Sequence, residues 1–293
     1  MKNFKYILMV LVGGAMYGTM SSFVKLSYSW GYNAAELAFF QALLAAVLLG
    51  LCSWLINKQK KKPKFKSVAA LLITGGVIGL TNYLYYQSVS FISASLAIVI
   101  LMQFTWFCLL IEWALFKKKP SGVEVLTVFC IIAGTVMAGD LLHTGATAFS
   151  WKGFLFALAS SLTYSIYIVA NSRAGKNVNW LPKSTLIMTG SAMAIFIVNA
   201  HTIIITVHFS YQFAFIAVFL AVAGTAIPTA LFSAAIPKVG AGISSILMTI
   251  ELPVAIICAG LILKEHINNV QIAGILVMLV AISVMNYYKA LKT

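Results

Sequence analysis

Ten apolar stretches fill most of this 293-residue sequence, and no other feature constrains its fold as strongly. Each is close to the ~20 apolar residues that a helix needs to cross the hydrocarbon core of a bilayer. Helices are favoured there because lipid offers no hydrogen-bond partner to an unpaired peptide group. The sequence therefore predicts an all-α membrane protein with ten transmembrane helices. The predicted spans are 4–26, 34–56, 68–88, 93–116, 122–140, 153–172, 183–206, 211–235, 240–263 and 268–288.

The basic residues are distributed unevenly among the segments that join these spans. With the N-terminus placed in the cytoplasm, the cytoplasmic side holds seventeen of the twenty Lys and Arg residues, and only Lys25, Lys152 and Lys264 lie outside. Lys and Arg are enriched on the cytoplasmic side of membrane spans. We therefore expect both termini in the cytoplasm and the protein in the plasma or inner membrane.

The same lysines account for the formal net charge of +14 without nucleic acid as a partner. Basic residues beside a span orient it and contact anionic lipid head groups. The four cysteines all lie within apolar spans, with no spacing typical of a metal site or a disulfide framework. Every histidine lies at a span boundary. We therefore expect no catalytic residues, no metal and no cofactor; the lipid bilayer is the surrounding partner.

The two halves of the sequence match each other at a constant offset of 147 residues. Tyr17 corresponds to Tyr164, Leu84 to Leu231, and Ala94 to Ala241. The offset divides the chain into two five-helix repeats, residues 1–145 and residues 146–293. Because five is an odd number, the second repeat must enter the membrane in the opposite orientation, as in many transporters.

Charges at equivalent positions are consistent with this inversion. The basic cluster at 58–66 corresponds to 205–213, which contains no Lys or Arg, and Lys118 corresponds to Glu265. Equivalent positions thus carry lysine where they face the predicted cytoplasm. Two repeats of similar pattern and complementary charge are what an inverted repeat requires.

The segment 236–285 contains a small-residue turn, a helix with Glu and Pro near its middle, a Glu at the end of that helix, and a Gly in the next span. These positions are Gly240 to Gly242, Glu251, Pro253, Glu265 and Gly274. In this pattern, and over essentially its whole length, the chain resembles the drug/metabolite transporter superfamily of the EamA type, with two tandem EamA-like units.

Three positions depart from the pattern of that family. Leu252 separates Glu251 from Pro253, where the family commonly has Glu and Pro adjacent, and Gln41 stands where many members have Arg. The end-of-helix Glu is Lys118 in the first repeat. These differences leave the expected fold unchanged, but no substrate follows from the resemblance.

The resemblance implies a central cavity between the repeats, lined mainly by spans one, three, four, six, eight and nine. Polar side chains at membrane depth need partners or water, and a shared cavity would serve many of them. Ser and Thr can instead bond to their own helix, and Gly75 with Gly79 is interpreted as a packing pair. The candidate substrate-binding residues are Tyr17, Asn82, Tyr83, Tyr86, Gln103, Trp106, Tyr164, Tyr167, Thr229, Thr249 and Glu251.

Glu251 is the one carboxylate near the middle of a predicted span. An ionisable group at that depth marks a functional site or a specific structural partner. It is a candidate ligand for substrate, a candidate carrier for a coupled proton, or a residue that holds the two repeats together. Pro253 lacks an N–H group and should leave a free carbonyl near Thr249, so it is a candidate hinge. Lys25 and Glu36 flank the first outer loop as a possible gate or an exposed ion pair.

We therefore expect a secondary transporter that moves a small organic metabolite, such as an amino acid, by alternating access. The sequence contains no phosphate-binding loop, so the energy must come from a solute or ion gradient. Export is the direction that the resemblance favours. The alternatives are a non-transporting scaffold or receptor and an intramembrane enzyme, which would need catalytic groups converging at depth. Both a monomer and a homodimer are compatible with the sequence.

Overall fold

The computed structural model describes residues 4–56, 63–138, 150–206, 209–265 and 268–291, and within these ranges it is helical with no strand. The all-α fold predicted from the apolar stretches is confirmed. A short π-helical segment, Val222–Ala226, joins α9 to α10. The helices are α1 Phe4–Ser29, α2 Ala34–Ile56, α3 Phe65–Phe91, α4 Ala94–Leu101, α5 Phe104–Phe116, α6 Gly122–Ala138, α7 Trp151–Arg173, α8 Trp180–Thr206, α9 Tyr211–Ala221, α10 Ile227–Val239, α11 Ala241–Met248, α12 Glu251–Ile262 and α13 Asn269–Leu291.

Every predicted span corresponds to one helix or to consecutive helices. Among the described residues, eight segments have the length and apolar character needed to cross a membrane, and the fifth and tenth spans match the shorter apolar helices Gly122–Met137 and Asn269–Met285. The fourth span is α4 with α5, the eighth is α9 to α10, and the ninth is α11 with α12. The predicted boundary between the repeats, at residues 145 and 146, lies outside the described residues.

Two spans are broken at equivalent positions. α4 ends at Leu101 and α5 begins at Phe104, while α11 ends at Met248 and α12 begins at Glu251, 147 residues later in each case. A residue with left-handed backbone conformation follows the second helix of each broken span. It is Lys117 after α5, with φ of 52°, and Lys264 after α12, with φ of 55°. The offset found in the sequence thus also relates local backbone geometry.

Each break is a short stretch of tight, 3₁₀-type hydrogen bonds. In the ninth span, the N–H of Ile250 donates to Leu247 at 3.3 Å, and the N–H of Leu252 donates to the Thr249 carbonyl at 3.1 Å. The expectation of a free carbonyl at Thr249 is therefore wrong. Pro253 is the third residue of α12. A helix has no internal acceptor for the N–H group at that position, so a proline there removes no helical hydrogen bond. The equivalent break in the fourth span has no proline, so proline is not required for it.

Glycines allow α3 and α8 to pack with their backbones in close approach. A Cβ on Gly75 would lie 1.9 Å from the Ile187 carbonyl oxygen, and one on Gly190 would lie 2.1 Å from the Leu72 carbonyl oxygen. Gly79 faces Ser191 in the same way. Small residues at such contacts stabilise membrane helix pairs through van der Waals packing. The packing role predicted for Gly75 and Gly79 is confirmed.

We predict that Gly75→Ala lowers the unfolding midpoint of the purified protein, because the added methyl group must push α3 away from α8. Overpacking of this kind costs about 1–3 kcal/mol. Gly122→Ala is the matched control, since nothing lies within 4 Å of a Cβ at that position. Thermal unfolding in detergent measures both. Equal midpoints for the two variants would contradict the close contact.

Candidate functional site

A cluster of buried aromatic rings lies where the two halves of the chain meet. Tyr164 on α7 has its ring centroid 6.3 Å from that of Tyr17 on α1 and 4.7 Å from that of Phe104, the first residue of α5. Tyr17 also contacts Phe232 edge-on at 5.3 Å. Tyr167 stacks on Tyr164 with centroids 6.2 Å apart. The rings come from both repeats and place hydroxyl groups at membrane depth.

Two of these rings, those of Tyr17 and Tyr164, line a small cavity of about 30 Å³. A space of this size is enough for a water molecule and is too small for an organic solute. A solute would bind there only if the surrounding helices moved apart. The cavity is lined by Tyr17, Met20, Thr81, Asn82, Tyr85, Tyr86, Ile98, Leu101, Tyr164 and Glu251.

Glu251 lies at the edge of this cavity and is 1% exposed. Its Oε1 accepts a hydrogen bond from the Tyr164 hydroxyl at 2.6 Å. Because the ninth span breaks just before it, Glu251 is the first residue of α12. The positive end of the α12 dipole favours negative charge at this position, so the break provides a suitable place for a carboxylate. Tyr164 belongs to the same repeat, so this bond does not join the two repeats.

Three polar atoms that face the cavity have no hydrogen-bond partner among the described residues. They are the hydroxyls of Tyr17 and Tyr85 and the side-chain nitrogen of Asn82. A buried donor or acceptor without a partner costs roughly 1–3 kcal/mol, so such groups are seldom gathered in one place. Together with Glu251 they could hydrogen-bond to a polar ligand between the repeats.

Comparison with known proteins agrees with this architecture. The model of the EamA-like transporter family matches residues 4–139 and 151–287, nearly the whole chain, as two tandem repeats. This chain belongs to the EamA-like transporter family. It is therefore a multi-pass membrane transporter and not an enzyme.

Two individual proteins are similar to this EamA-like transporter. The uncharacterized transporter sll1319 of Synechocystis sp. (strain ATCC 27184 / PCC 6803 / Kazusa) is 24% identical over 262 residues, which are 85% of this chain and 75% of that protein. A solved crystal structure of another protein has a TM-score of 0.74 and 14% identity, covering 98% of this chain and 99% of that chain. At such low identity the second likeness shows the fold alone.

Five of the eleven candidate substrate-binding residues line the cavity of this EamA-like transporter: Tyr17, Asn82, Tyr86, Tyr164 and Glu251. Three more are buried without lining it. Tyr167 accepts a hydrogen bond from the Asn171 amide at 3.2 Å, the Thr229 hydroxyl lies 3.9 Å from the Met188 sulfur, and the Thr249 hydroxyl bonds to Ile246 O in its own helix at 2.7 Å.

Tyr83, Gln103 and Trp106 lie away from the cavity. Tyr83 is half-buried and accepts a hydrogen bond from the Gln87 amide at 3.1 Å. Gln103 and Trp106 bond to each other, with the indole N–H 2.7 Å from the amide oxygen. Gln103 lies in the break between α4 and α5, so an uninterrupted helix does not predict where these two side chains point.

Tyr85 and Thr81 also line the cavity, although neither was predicted as a candidate substrate-binding residue. Helical periodicity provides the signal that could have found them. Positions 81, 82, 85 and 86 repeat at the spacing of one helix face, whereas Tyr83 points to another face. Gln41, noted only for replacing an Arg, accepts a hydrogen bond from the Tyr86 hydroxyl at 2.7 Å.

Lys25 and Glu36 do not pair with each other in the structure, so the predicted ion pair is wrong. The Lys25 ammonium donates to the carbonyls of Val89 and Ile92 at 2.7 and 3.0 Å and so caps the end of α3. Glu36 forms a reciprocal cap with Asn33 at the start of α2 and accepts from the Thr206 hydroxyl at 2.5 Å. The second contact links α2 to α8.

Carboxylates contact the N-terminal turns of α4 and α11 at equivalent positions. Ser95, in the first turn of α4, donates to Glu265 at 2.5 Å. Its counterpart Gly242, in the first turn of α11, donates its N–H to Glu112 at 3.0 Å. Each carboxylate comes from the other repeat. These two contacts therefore join the repeats at opposite ends of the bundle.

Glu112 makes more contacts than a single ion pair. It is 3% exposed and pairs with Lys118 at 3.0 Å and with Arg173 at 3.3 Å. The Arg173 guanidinium also lies 3.4 Å from the ring centroid of Phe116. With the bond from Gly242, this carboxylate joins α5, α7 and α11.

We predict that Glu112→Ala lowers the free energy of unfolding by roughly 1–3 kcal/mol, because the Gly242 N–H and Arg173 lose their acceptor. Glu112→Gln should cost less, since an amide oxygen can still accept from Gly242. Lys118→Ala is the control; its side chain is 52% exposed, and such pairs contribute at most about 1 kcal/mol. Equal losses for Glu112→Ala and Lys118→Ala, measured by chemical unfolding in detergent, would contradict the central role of Glu112.

Proposed function

We propose that this EamA-like transporter is a secondary transporter that moves a small organic metabolite, such as an amino acid, by alternating access. One observation carries the proposal: buried polar groups without partners surround Glu251 in a cavity formed by both repeats. A neutral or zwitterionic solute with donor and acceptor groups could hydrogen-bond to them. We favour export, as the family resemblance implies, with both termini in the cytoplasm of a cell bounded by a plasma or inner membrane.

The directions of the helices support an inverted pair of repeats. Contacts of α2 with α8 join Glu36 to Thr206 and place Gly50 beside Thr185, so these two helices run antiparallel. The segments 30–33 and 174–179 connect α1 to α2 and α7 to α8. Short connections reverse the chain, so α1 and α7 run in opposite directions. A transporter built this way can expose one central site to each side in turn.

The contacts at the two ends of the bundle supply closures for such a cycle. Glu112 with Gly242 closes one end and Ser95 with Glu265 closes the other. In our proposal the solute binds between the breaks of α4–α5 and α11–α12. Breaking one end contact and keeping the other opens the site to a single side. Pro253 remains the proposed hinge because it lies in the first turn of α12, directly after the break at Thr249 and Ile250.

We expect Tyr17→Phe to weaken solute binding about fivefold without destabilising the protein. No described residue lies within hydrogen-bonding geometry of the Tyr17 hydroxyl, so its loss should cost the folded state little, while a ligand bond is worth about 1 kcal/mol. The measurement is a thermal-shift screen of purified protein against amino acids, nucleosides, vitamins and cationic drugs, since a ligand of the folded state raises the unfolding midpoint.

Tyr83→Phe is the matched control for that screen, because Tyr83 lies outside the cavity. A solute whose shift shrinks with Tyr17→Phe and persists with Tyr83→Phe identifies both the solute class and the site. The reverse pattern would place the site elsewhere and contradict the proposal. A scaffold or receptor would show no net solute flux when the same solute is tested in proteoliposomes.

A proton is the candidate coupled ion, with Glu251 as its carrier. Glu251→Gln cannot exchange a proton, so we expect it to abolish solute accumulation driven by a pH gradient in proteoliposomes. Downhill exchange of the solute should remain, because the amide still bonds to Tyr164. Accumulation that persists in Glu251→Gln would contradict proton carriage by this residue. A variant that unfolds at a much lower temperature would show that Glu251 is structural.

A further inference from the structure

A second and much larger cavity lies apart from the central cluster. Its volume is about 800 Å³, within the range of cavities that bind organic ligands. We call it the lysine groove; it is formed by the first turns of α1, the second half of α2, residues 175–183, and the eighth span from Val222 to Lys238. None of the residues that line the central cavity lines this groove.

The groove exists because the two repeats differ where their equivalent helices pack. Gly75, Gly79 and Gly190 bring α3 and α8 into backbone contact. At the offset of 147, these glycines correspond to Val222, Ala226 and Leu43 in the eighth span and α2. The larger side chains prevent the same close approach, and the π-helical segment starts at Val222 itself. α2 therefore packs against α9 and the π-helical segment but diverges from α10, and the groove lies between them.

The walls of the lysine groove are apolar and open sideways. Leu48, Val222 and Ile227 line it and remain 39%, 36% and 43% exposed. In a membrane-spanning bundle, large apolar side chains with this exposure face lipid. The groove is therefore accessible from the hydrocarbon core of the bilayer, and not from water alone.

One end of the groove is strongly basic. Lys5, Lys176, Lys183 and Lys238 converge there from four separate parts of the chain, and no acidic residue is among the lining residues. Lys183 is 1% exposed and donates to the Asn171 carbonyl at 2.6 Å, whereas the other three are exposed. Such a cluster attracts an anion placed at the level of the lipid head groups.

We propose that the lysine groove binds an anionic phospholipid. The phosphate lies among Lys5, Lys176 and Lys238, and one acyl chain follows the eighth span toward Val222. The distance from Lys238 to Val222 along the helix is about 24 Å at the usual rise per residue, which suits a chain reaching toward the bilayer centre. A water-soluble anion would use the lysines but not the apolar walls. This inference does not depend on the proposed transport function.

The test uses delipidated full-length protein with phosphatidylglycerol, phosphatidylcholine or glycerol phosphate as the probe. Cys52 lines the groove and is exposed, so the rate of its alkylation reports occupancy; Cys258, outside the groove, is the internal control. We expect phosphatidylglycerol to slow alkylation of Cys52 and not of Cys258. Neither phosphatidylcholine nor glycerol phosphate should slow the alkylation of Cys52 at the same concentration.

The triple variant Lys5→Gln, Lys176→Gln, Lys238→Gln should weaken protection by phosphatidylglycerol roughly a hundredfold, since each lysine near an anionic lipid contributes about a fivefold change in affinity. The matched control is Lys64→Gln, Lys66→Gln, Lys119→Gln, which removes the same charge from exposed positions outside the groove. Unchanged protection in the first variant, an equal loss in the second, or protection by phosphatidylcholine would each overturn the proposal.

Discussion

The absence of hydrogen-bond partners in lipid is the constraint on which this structure depends. It requires every peptide group in a span to be paired, and so it permits helices interrupted only where protein surrounds the break. The breaks at Met102–Gln103 and Thr249–Ile250 meet this requirement, because flanking residues are buried and tight turns satisfy the local backbone. Glu251 is tolerated at this depth because it begins a helix beside the Tyr164 hydroxyl.

The same constraint explains which features could be predicted from the sequence. Span positions follow from apolar length, and the offset of 147 also predicts where helices break, since Leu101 and Met248 end α4 and α11 alike. Side-chain directions beyond a break could not be predicted, because a tight turn changes the rotation of the following helix. Gln103 and Trp106 were therefore placed in the cavity although they bond to each other outside it.

Contacts at helix ends were the other failure of prediction. Lys25 and Glu36 are close in sequence and opposite in charge, which favours an ion pair when only the loop between them is considered. Each instead satisfies helix-terminal groups: Lys25 the last carbonyls of α3, and Glu36 the first turn of α2. The partners of Lys25 become available only when α1 packs against α3, whereas the cap between Glu36 and Asn33 is local. The contacts of Glu112 with Arg173 and Gly242 come from the other repeat and could not be predicted from the sequence.

Differences between the repeats are as informative as their similarity. An inverted repeat with identical halves would pack α2 against the eighth span as tightly as α8 packs against α3. Val222 in place of Gly75 prevents this, and a groove opens at the end of the bundle where the lysines lie. The first repeat has Phe104 at the position equivalent to Glu251, so the carboxylate that lines the central cavity comes from the second repeat alone. Symmetry therefore accounts for the two end contacts, whereas the departures from symmetry create the central carboxylate and the lysine groove, where we propose that ligands bind.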